Sequence, residues 1–159
     1  MKAYLGIGSN IGNRLSFILK SLEEIKTLGK IVKLSTVYES KAWGLEEQPP
    51  FLNLVVRIDT KLPPTELLLR LKRIEKNLGR KERYRWGPRE IDIDVILYGN
   101  EVINSKLLSV PHPFLVERDF FLYPLLEIEP DIVHPITGKP LKEYRPKNTL
   151  KPFCCILEL

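Results

Sequence analysis

The sequence predicts an α+β fold with its elements in the order β-α-β-β-α-β. Three observations lead there. Residues 51–59 and 90–98 alternate as strands do, and two further stretches carry apolar residues at the three- and four-residue spacing of amphipathic helices. The third is composition: of 159 residues, 43% are hydrophobic and 28% charged, which suits a chain with a packed core and not a disordered one. A single domain over residues 1–159 is expected at this length, since neither an internal repeat nor a low-complexity linker divides it.

Residues 3–8 form a short apolar run ending in glycine, a first strand, and residues 10–13 supply turn and cap chemistry. Leu15, Ile18, Leu19, Leu22, Ile25 and Leu28 then mark a helix for which Gly29 reads as the stop. Residues 31–40 are β-rich, and 41–50 form a loop with Gly44 and Pro49-Pro50. In the strand at 51–59, Leu52, Leu54, Val56 and Ile58 share one face, with Phe51, Asn53, Val55 and Arg57 on the other. Pro63-Pro64 opens a second helix, its core side Leu67, Leu68, Leu71, Ile74 and Leu78, followed by Gly79. After a basic loop at 80–89, residues 90–98 put Ile91, Ile93, Val95 and Leu97 on one face and Asp92, Asp94, Ile96 and Tyr98 on the other. Gly99-Asn100 reads as a turn into a short strand at 101–103, and a helical patch at 115–126 is interrupted by Pro124. The remainder is short and proline-punctuated. The order is ferredoxin-like, with an α/β extension.

No apolar run approaches the roughly 18 residues that span a bilayer, and the start, Met1-Lys2-Ala3-Tyr4, has no apolar h-region. Neither a membrane association nor a secretory signal is expected. Adjacent Cys154 and Cys155 suit neither a disulfide framework nor a zinc site and read as small buried hydrophobes; a cytoplasmic location is expected. The net charge of +5 permits an anionic partner without choosing one.

Asp92 and Asp94, two apart on a strand, project from one face roughly 6.6 Å apart. Two carboxylates so close repel unless a cation lies between them, and hard oxygen ligands suit Mg²⁺, which keeps sites for water and phosphate oxygens. The bland alternative is a solvated strand face. Arg80, Lys81, Arg83, Arg85 and Arg89 tip the balance, because guanidinium forks bind phosphate and a metal among cations describes a polyphosphate site. Trp86-Gly87-Pro88 stiffens that loop and offers an aromatic surface to a nucleotide base. The Gly6-Ile7-Gly8-Ser9-Asn10-Ile11-Gly12 segment matches neither dinucleotide nor P-loop spacing; its glycines read as places where a backbone or small ligand comes close. Asn53, beside Phe51, offers a donor and an acceptor to a planar heterocycle, or else satisfies local backbone. His112 and His134 precede prolines and read as turn residues rather than zinc ligands, with interest in His112 because Arg118 follows six residues on.

Residues 85–96, Arg85-Trp86-Gly87-Pro88-Arg89-Glu90-Ile91-Asp92-Ile93-Asp94-Val95-Ile96, closely resemble the signature of the 6-hydroxymethyl-7,8-dihydropterin pyrophosphokinases, enzymes of folate biosynthesis. The likeness covers nearly the whole chain: Gly6-Ile7-Gly8-Ser9-Asn10 is similar to the family's opening strand, Gln48-Pro49-Pro50-Phe51-Leu52-Asn53 to its pterin-side segment, and Pro111-His112-Pro113 through Arg118 and Phe120 to its later ligand segment. The resemblance implies transfer of the β,γ-pyrophosphoryl group of ATP to the pterin hydroxymethyl oxygen, AMP leaving, on a mainly antiparallel three-layer α-β-α sandwich. It implies that Asp92 and Asp94 hold two Mg²⁺ ions and that Arg80 and Arg89 steady charge on the α-phosphate. Lys72, Glu75, Lys81, Arg83, Trp86, His112 and Arg118 would line the ATP side. Asn53 would bind the pterin between Phe51 and Phe120, with Ser40 and the Lys41, Ala42 and Trp43 backbone completing that pocket. Ser40 stands where the family more usually has threonine, and Pro50 where an acid is common. The partners implied are small molecules only, for a monomeric enzyme binding neither nucleic acid nor membrane, and the loops at 41–50 and 80–89 are expected to close over them. Two other classes share features. An RNA-recognition module has the same element order but needs stacking aromatics in a motif absent here. A palm-like two-metal nucleotidyl transferase shares the paired acids.

Overall fold

The computed structural model describes residues 1–41, 48–83, 87–157 and 159. β1 (Lys2–Ser9) is buried at every position after Lys2, as an apolar run without an internal charge requires of a central strand. It pairs antiparallel with β4 (Phe51–Asp59) on one side and β5 (Asp92–Tyr98) on the other. Beyond β4, β2 (Lys30–Leu34) takes its last residues and β3 (Val37–Ser40) its first, and β8 (Lys151–Cys154) extends the sheet past β3. All of these pairings are antiparallel. A separate ladder joins β6 (Ile103–Asn104) to β7 (Ser109–Val110).

Two helices cover one face of the sheet. α1 (Arg14–Ile25) and α2 (Pro64–Asn77) enclose a core with Leu5, Ile7, Leu54, Ile58 and Ile93, to which they contribute Ile18, Leu22, Leu67 and Leu71. α3 (Asp119–Ile128) packs Phe121, Leu122 and Leu125 against Tyr4, Val55 and Ile96 on the opposite face. The result is the three-layer sandwich on a ferredoxin-like order. None of the described helices is long and apolar enough to cross a membrane.

Local chemistry accounts for the helix ends. The Asn13 side chain accepts the Ser16 N–H at 3.1 Å and caps α1, while α2 starts on Pro64, whose missing N–H costs nothing in a first turn. α2 ends in paired bonds, Gly79 N–H to the Lys76 carbonyl and Arg80 N–H to the Glu75 carbonyl, with Gly79 at φ 100°. Only glycine takes that conformation without strain, and the turn delivers Arg80 directly to β5.

Several sequence expectations need correction. The β-rich stretch is two strands rather than one. Leu97 does not share the Ile93 face: β1 pairs Tyr4 with Leu97 but Leu5 with Val95, so a bulge at Ile96 turns Leu97 toward α3 and Tyr98 toward the first core. Leu19 is exposed, because α1 buries a narrower stripe that includes Ser21. Pro124 does not interrupt α3; it lies buried inside the helix, and the apolar neighbours around it offset one missing hydrogen bond. The short strand begins at Ile103 instead of 101. The proline-punctuated end contains β8, where Pro152 is tolerated because the strand is at the sheet edge, and there Cys154 is half-buried and Cys155 exposed rather than both buried.

Gly29 lies four residues after the end of α1 and does not adopt a left-handed φ; it is needed for space. A Cβ there would lie 2.4 Å from the Asp59 carbonyl oxygen. Gly29→Ala should therefore cost about 1–3 kcal/mol of stability, the usual range for overpacking, measured by urea denaturation against the wild type.

Candidate active site

The register of three strands builds the floor. Gly8 on β1 lies opposite Asn53 of β4 and Asp92 of β5, and Gly6 lies opposite Val55 and Asp94. These residues share the face that α3 only partly covers. Two strand spacings, about 10 Å, separate Asn53 from Asp92 with a bare glycine between them. A Cβ on Gly8 would come within 2.7 Å of Asn53 Oδ1, and one on Gly6 within 2.6 Å of Phe121 Cε1.

Above this floor is a cavity of about 310 Å³. β4 contributes Phe51 and Asn53, β5 contributes Asp92 and Asp94, and the segment from His112 into α3 contributes Phe114, Arg118, Phe120 and Phe121. Asn53 is buried and donates its amide N–H to Ser40 Oγ at 2.6 Å. That bond fixes the amide and leaves its oxygen on the glycine side. The Arg118 guanidinium is buried, 4.8 Å from the ring centre of Phe114 and 5.6 Å from that of Phe120.

A second cavity, about 620 Å³, opens on the other side of Arg89. Lys72, Glu75 and Lys76 of α2 line it together with Arg80, Lys81, Glu82, Arg83 and Pro88, and among the described residues Arg89 is common to both linings. Arg80 and Arg89 converge on one atom: their Nη1 groups donate to Asp92 Oδ1 at 3.1 Å and 3.0 Å. Arg80 also pairs with Glu75 at 2.8 Å. Glu75, buried, accepts the Ile93 N–H at 2.6 Å and so caps the outer edge of β5.

Desolvation, with Asp92 nearby, raises the Glu75 carboxyl to about 7. The same two causes push Asp94 well above the usual carboxylate range, Arg118 only partly opposing them. Glu90 goes the other way, to about 2, because Arg83 grips it with two bonds of 2.6 Å and 2.7 Å. An acid pair in which one member is pushed toward protonation by burial and by the other's charge is a site that a divalent cation would relieve. With two carboxylates, and no grouping of three ligating side chains among the described residues, it suits an ion that keeps water and phosphate oxygens in its shell.

A family model for 7,8-dihydro-6-hydroxymethylpterin-pyrophosphokinase (HPPK) matches residues 4–130. The 2-amino-4-hydroxy-6-hydroxymethyldihydropteridine pyrophosphokinase of Aquifex aeolicus is 64% identical over 156 residues, 98% of each chain. The chain belongs to the HPPK family. A folic acid synthesis protein of Pneumocystis carinii is 46% identical over 94% of this chain, which spans 21% of that longer protein. In fold, the chain is similar to the wild-type Plasmodium falciparum HPPK-DHPS, with a TM-score of 0.72 at 17% identity, covering 90% of this chain and 44% of that one.

The structure brings most of the expected HPPK residues to these two cavities. Asp92, Asp94, Arg89, Phe51, Asn53 and Phe120 line the first, with Ser40 beneath it; Lys72, Glu75, Arg80, Lys81 and Arg83 line the second. His112 and Arg118, expected among the ATP contacts, line the first cavity beside the phenylalanines. Lys41 is exposed and lines neither. Ala42, Trp43 and Trp86 lie outside the described residues, as do parts of both loops expected to close. Sequence reasoning missed Phe114 and Phe121, which pack on Arg118 and Gly6, and Asn10. Asn10 is buried; its oxygen accepts the Arg89 N–H at 2.7 Å, and its amide donates to Gln48 Oε1 and the Pro49 carbonyl, both at 3.1 Å. The only signal for it was its place beside Gly8-Ser9.

Burial, with Arg118 adjacent, lowers the His112 imidazole from 6.5 to about 4, and its Nδ1 accepts the Phe114 N–H at 3.1 Å. The folded state therefore resists a proton that the unfolded chain takes up below pH 6.5. Stability owed to this histidine should be intact above pH 6.5 and decline as pH falls toward 4. Urea melts at pH 7 and pH 5 should show a smaller acid-induced loss in His112→Gln than in the wild type.

Proposed function

We propose that the chain transfers the β,γ-pyrophosphoryl group of ATP to 6-hydroxymethyl-7,8-dihydropterin, the folate-synthesis step of its family, with pterin in the first cavity and the nucleotide in the second. The observation that carries this division is Arg89, the side chain common to both linings and bound to Asp92 at their junction. A cavity walled by phenylalanine rings and holding one oriented amide suits a planar heterocycle. A wider one bordered by Lys72, Lys76, Lys81 and Arg80 suits a polyphosphate.

In this reading Phe51 and Phe120 hold the pterin rings while Asn53, fixed by Ser40, reads their hydrogen-bonding edge. The hydroxymethyl oxygen then points over the glycines toward Asp92 and Asp94. It bonds to the β-phosphorus as the bond to the oxygen shared with the α-phosphate breaks; the α-phosphate keeps that oxygen in AMP, and the hydroxyl proton is released to solvent. Asp92 and Asp94 would hold two Mg²⁺ ions, whose charge offsets that of the phosphate oxygens. Arg89 and Arg80, already aimed at the junction, meet the negative charge that grows on departing AMP. His112, neutral near pH 7, and Arg118 border the same junction. Residues 1–159 act as one catalytic unit, a monomer working in the cytoplasm on small molecules.

Asp94→Ala should lower Mg²⁺-dependent AMP release by at least about a hundredfold, in line with several kcal/mol of barrier from metal charge, while the variant keeps native circular dichroism. Near-normal turnover at saturating substrates would remove Asp94 from the metal site. Arg89 and Asn53 separate chemistry from binding. Arg89→Ala should cut the single-turnover rate by at least about tenfold, roughly 1.4 kcal/mol, with little effect on pterin affinity. Asn53→Ala should instead weaken pterin binding by about 1–3 kcal/mol. Equilibrium binding and rapid-quench measurements on both variants distinguish the roles.

A further inference from the structure

The chain beyond residue 130 lies outside the span of the family match, yet part of it is fastened to both walls of the first cavity. At one end the Tyr123 hydroxyl donates to the Pro146 carbonyl. Asp119 Oδ2 accepts both the N–H and the hydroxyl of Thr149, at 2.8 Å and 2.7 Å. Asp119 sits between Arg118 and Phe120 in the first turn of α3, a helix whose N-cap residue makes no side-chain capping bond. That turn is held from outside, by Thr149.

Four residues further on, the segment is fixed to the opposite wall. β8 pairs with β3, Lys151 opposite Glu39, and the Phe153 ring lies 5.7 Å from the Arg14 guanidinium. Arg14 donates to Glu39 at 2.8 Å and to the Pro50 carbonyl at 3.1 Å, immediately before Phe51. A continuous piece of chain thus runs from the residue before Phe120 to the contacts that hold the residue before Phe51.

We propose that residues 146–154 form a strap that sets the separation of Phe51 and Phe120 and so positions the pterin. The inference rests on the reading that the pterin lies between these two rings. Dispersion between stacked faces decays within a fraction of an ångström to an ångström of added gap, so a small drift of either wall weakens the grip on a flat ligand. None of residues 146–154 lines the second cavity, where the phosphates would sit between α2 and the basic loop. Its loss therefore falls on pterin affinity.

The test uses Asp119→Ala at one end, Phe153→Ala at the other, and the double variant, with Asp119→Asn, which retains an acceptor oxygen, as the conservative rescue. Pterin Kd is measured by calorimetry in the presence of Mg²⁺ and a saturating non-hydrolysable ATP analogue. The analogue's own Kd and the single-turnover rate at saturating pterin are measured alongside. Each single variant should raise pterin Kd about three- to tenfold, and the double variant more. The other two quantities should stay within twofold, and Asp119→Asn should recover most of the affinity. Phe120→Ala tests the underlying reading: if it leaves pterin affinity unchanged, that reading fails and the strap falls with it. If Phe120→Ala weakens pterin binding while the strap variants bind pterin within twofold of wild type, the strap alone is overturned. Parallel losses in all three quantities also overturn it, since a merely loosened fold moves them together. Should the double variant not fold, the single variants decide the matter by the same criteria.

Discussion

A central strand in a three-layer sandwich is buried on both faces, and β1 fills only one of them fully with its own side chains. Ala3, Leu5 and Ile7 fill the core under α1 and α2, while on the other face Tyr4 is followed by Gly6 and Gly8. The missing side chains keep the sheet open where α3 stops covering it. A methyl at either glycine would strike Phe121 or Asn53, so the strand could hardly be filled in without moving the walls. Everything else at the site is arranged around this bare strip: the amide on one neighbouring strand, the carboxylates on the other, the phenylalanines of α3 above.

Charge around the strip is concentrated on one oxygen. Arg80 and Arg89 both donate to Asp92 Oδ1, and Arg80 is shared with Glu75. Asp94 is pushed upward by burial and by the charge of Asp92, with Arg118 and Arg89 opposing. Glu75 is held in this company because β5 is an edge strand: the Ile93 N–H turns outward and needs an acceptor, which α2 supplies. The same contact joins α2 to the strand that carries Asp92 and Asp94, so the helix that borders the second cavity also sets the height of those two carboxylates.

How far the sequence foretold this depends on how long each pattern runs. β4 and α2 were legible because nine and fourteen residues hold one period, and the common face of Asp92 and Asp94 followed from spacing alone. The bulge at Ile96 was not, since it comes from how β5 registers against Tyr4, which pairs with Leu97, 93 residues further along the chain. β8 escaped because four residues containing Pro152 carry no periodic signal, and its pairing with β3 is a tertiary event. Among site residues, acids and arginines announce their chemistry by type. Phe114, Phe121 and Asn10 do not, because their roles come from what they touch.

Asn10 makes the point most directly. It directly follows Ser9, the last residue of β1, and its backbone N–H donates to the Arg89 carbonyl at 3.1 Å while its side-chain oxygen accepts the Arg89 N–H. The other half of the amide holds Gln48 and Pro49. An amide group is planar, so its two ends cannot be reoriented independently. A shift of the 48–50 segment, which leads into Phe51, therefore works against the bond that sets the Arg89 backbone, and the reverse holds equally. The wall of one cavity and the arginine shared by both are referred to a single buried side chain anchored on the strand whose glycines make the cavity possible.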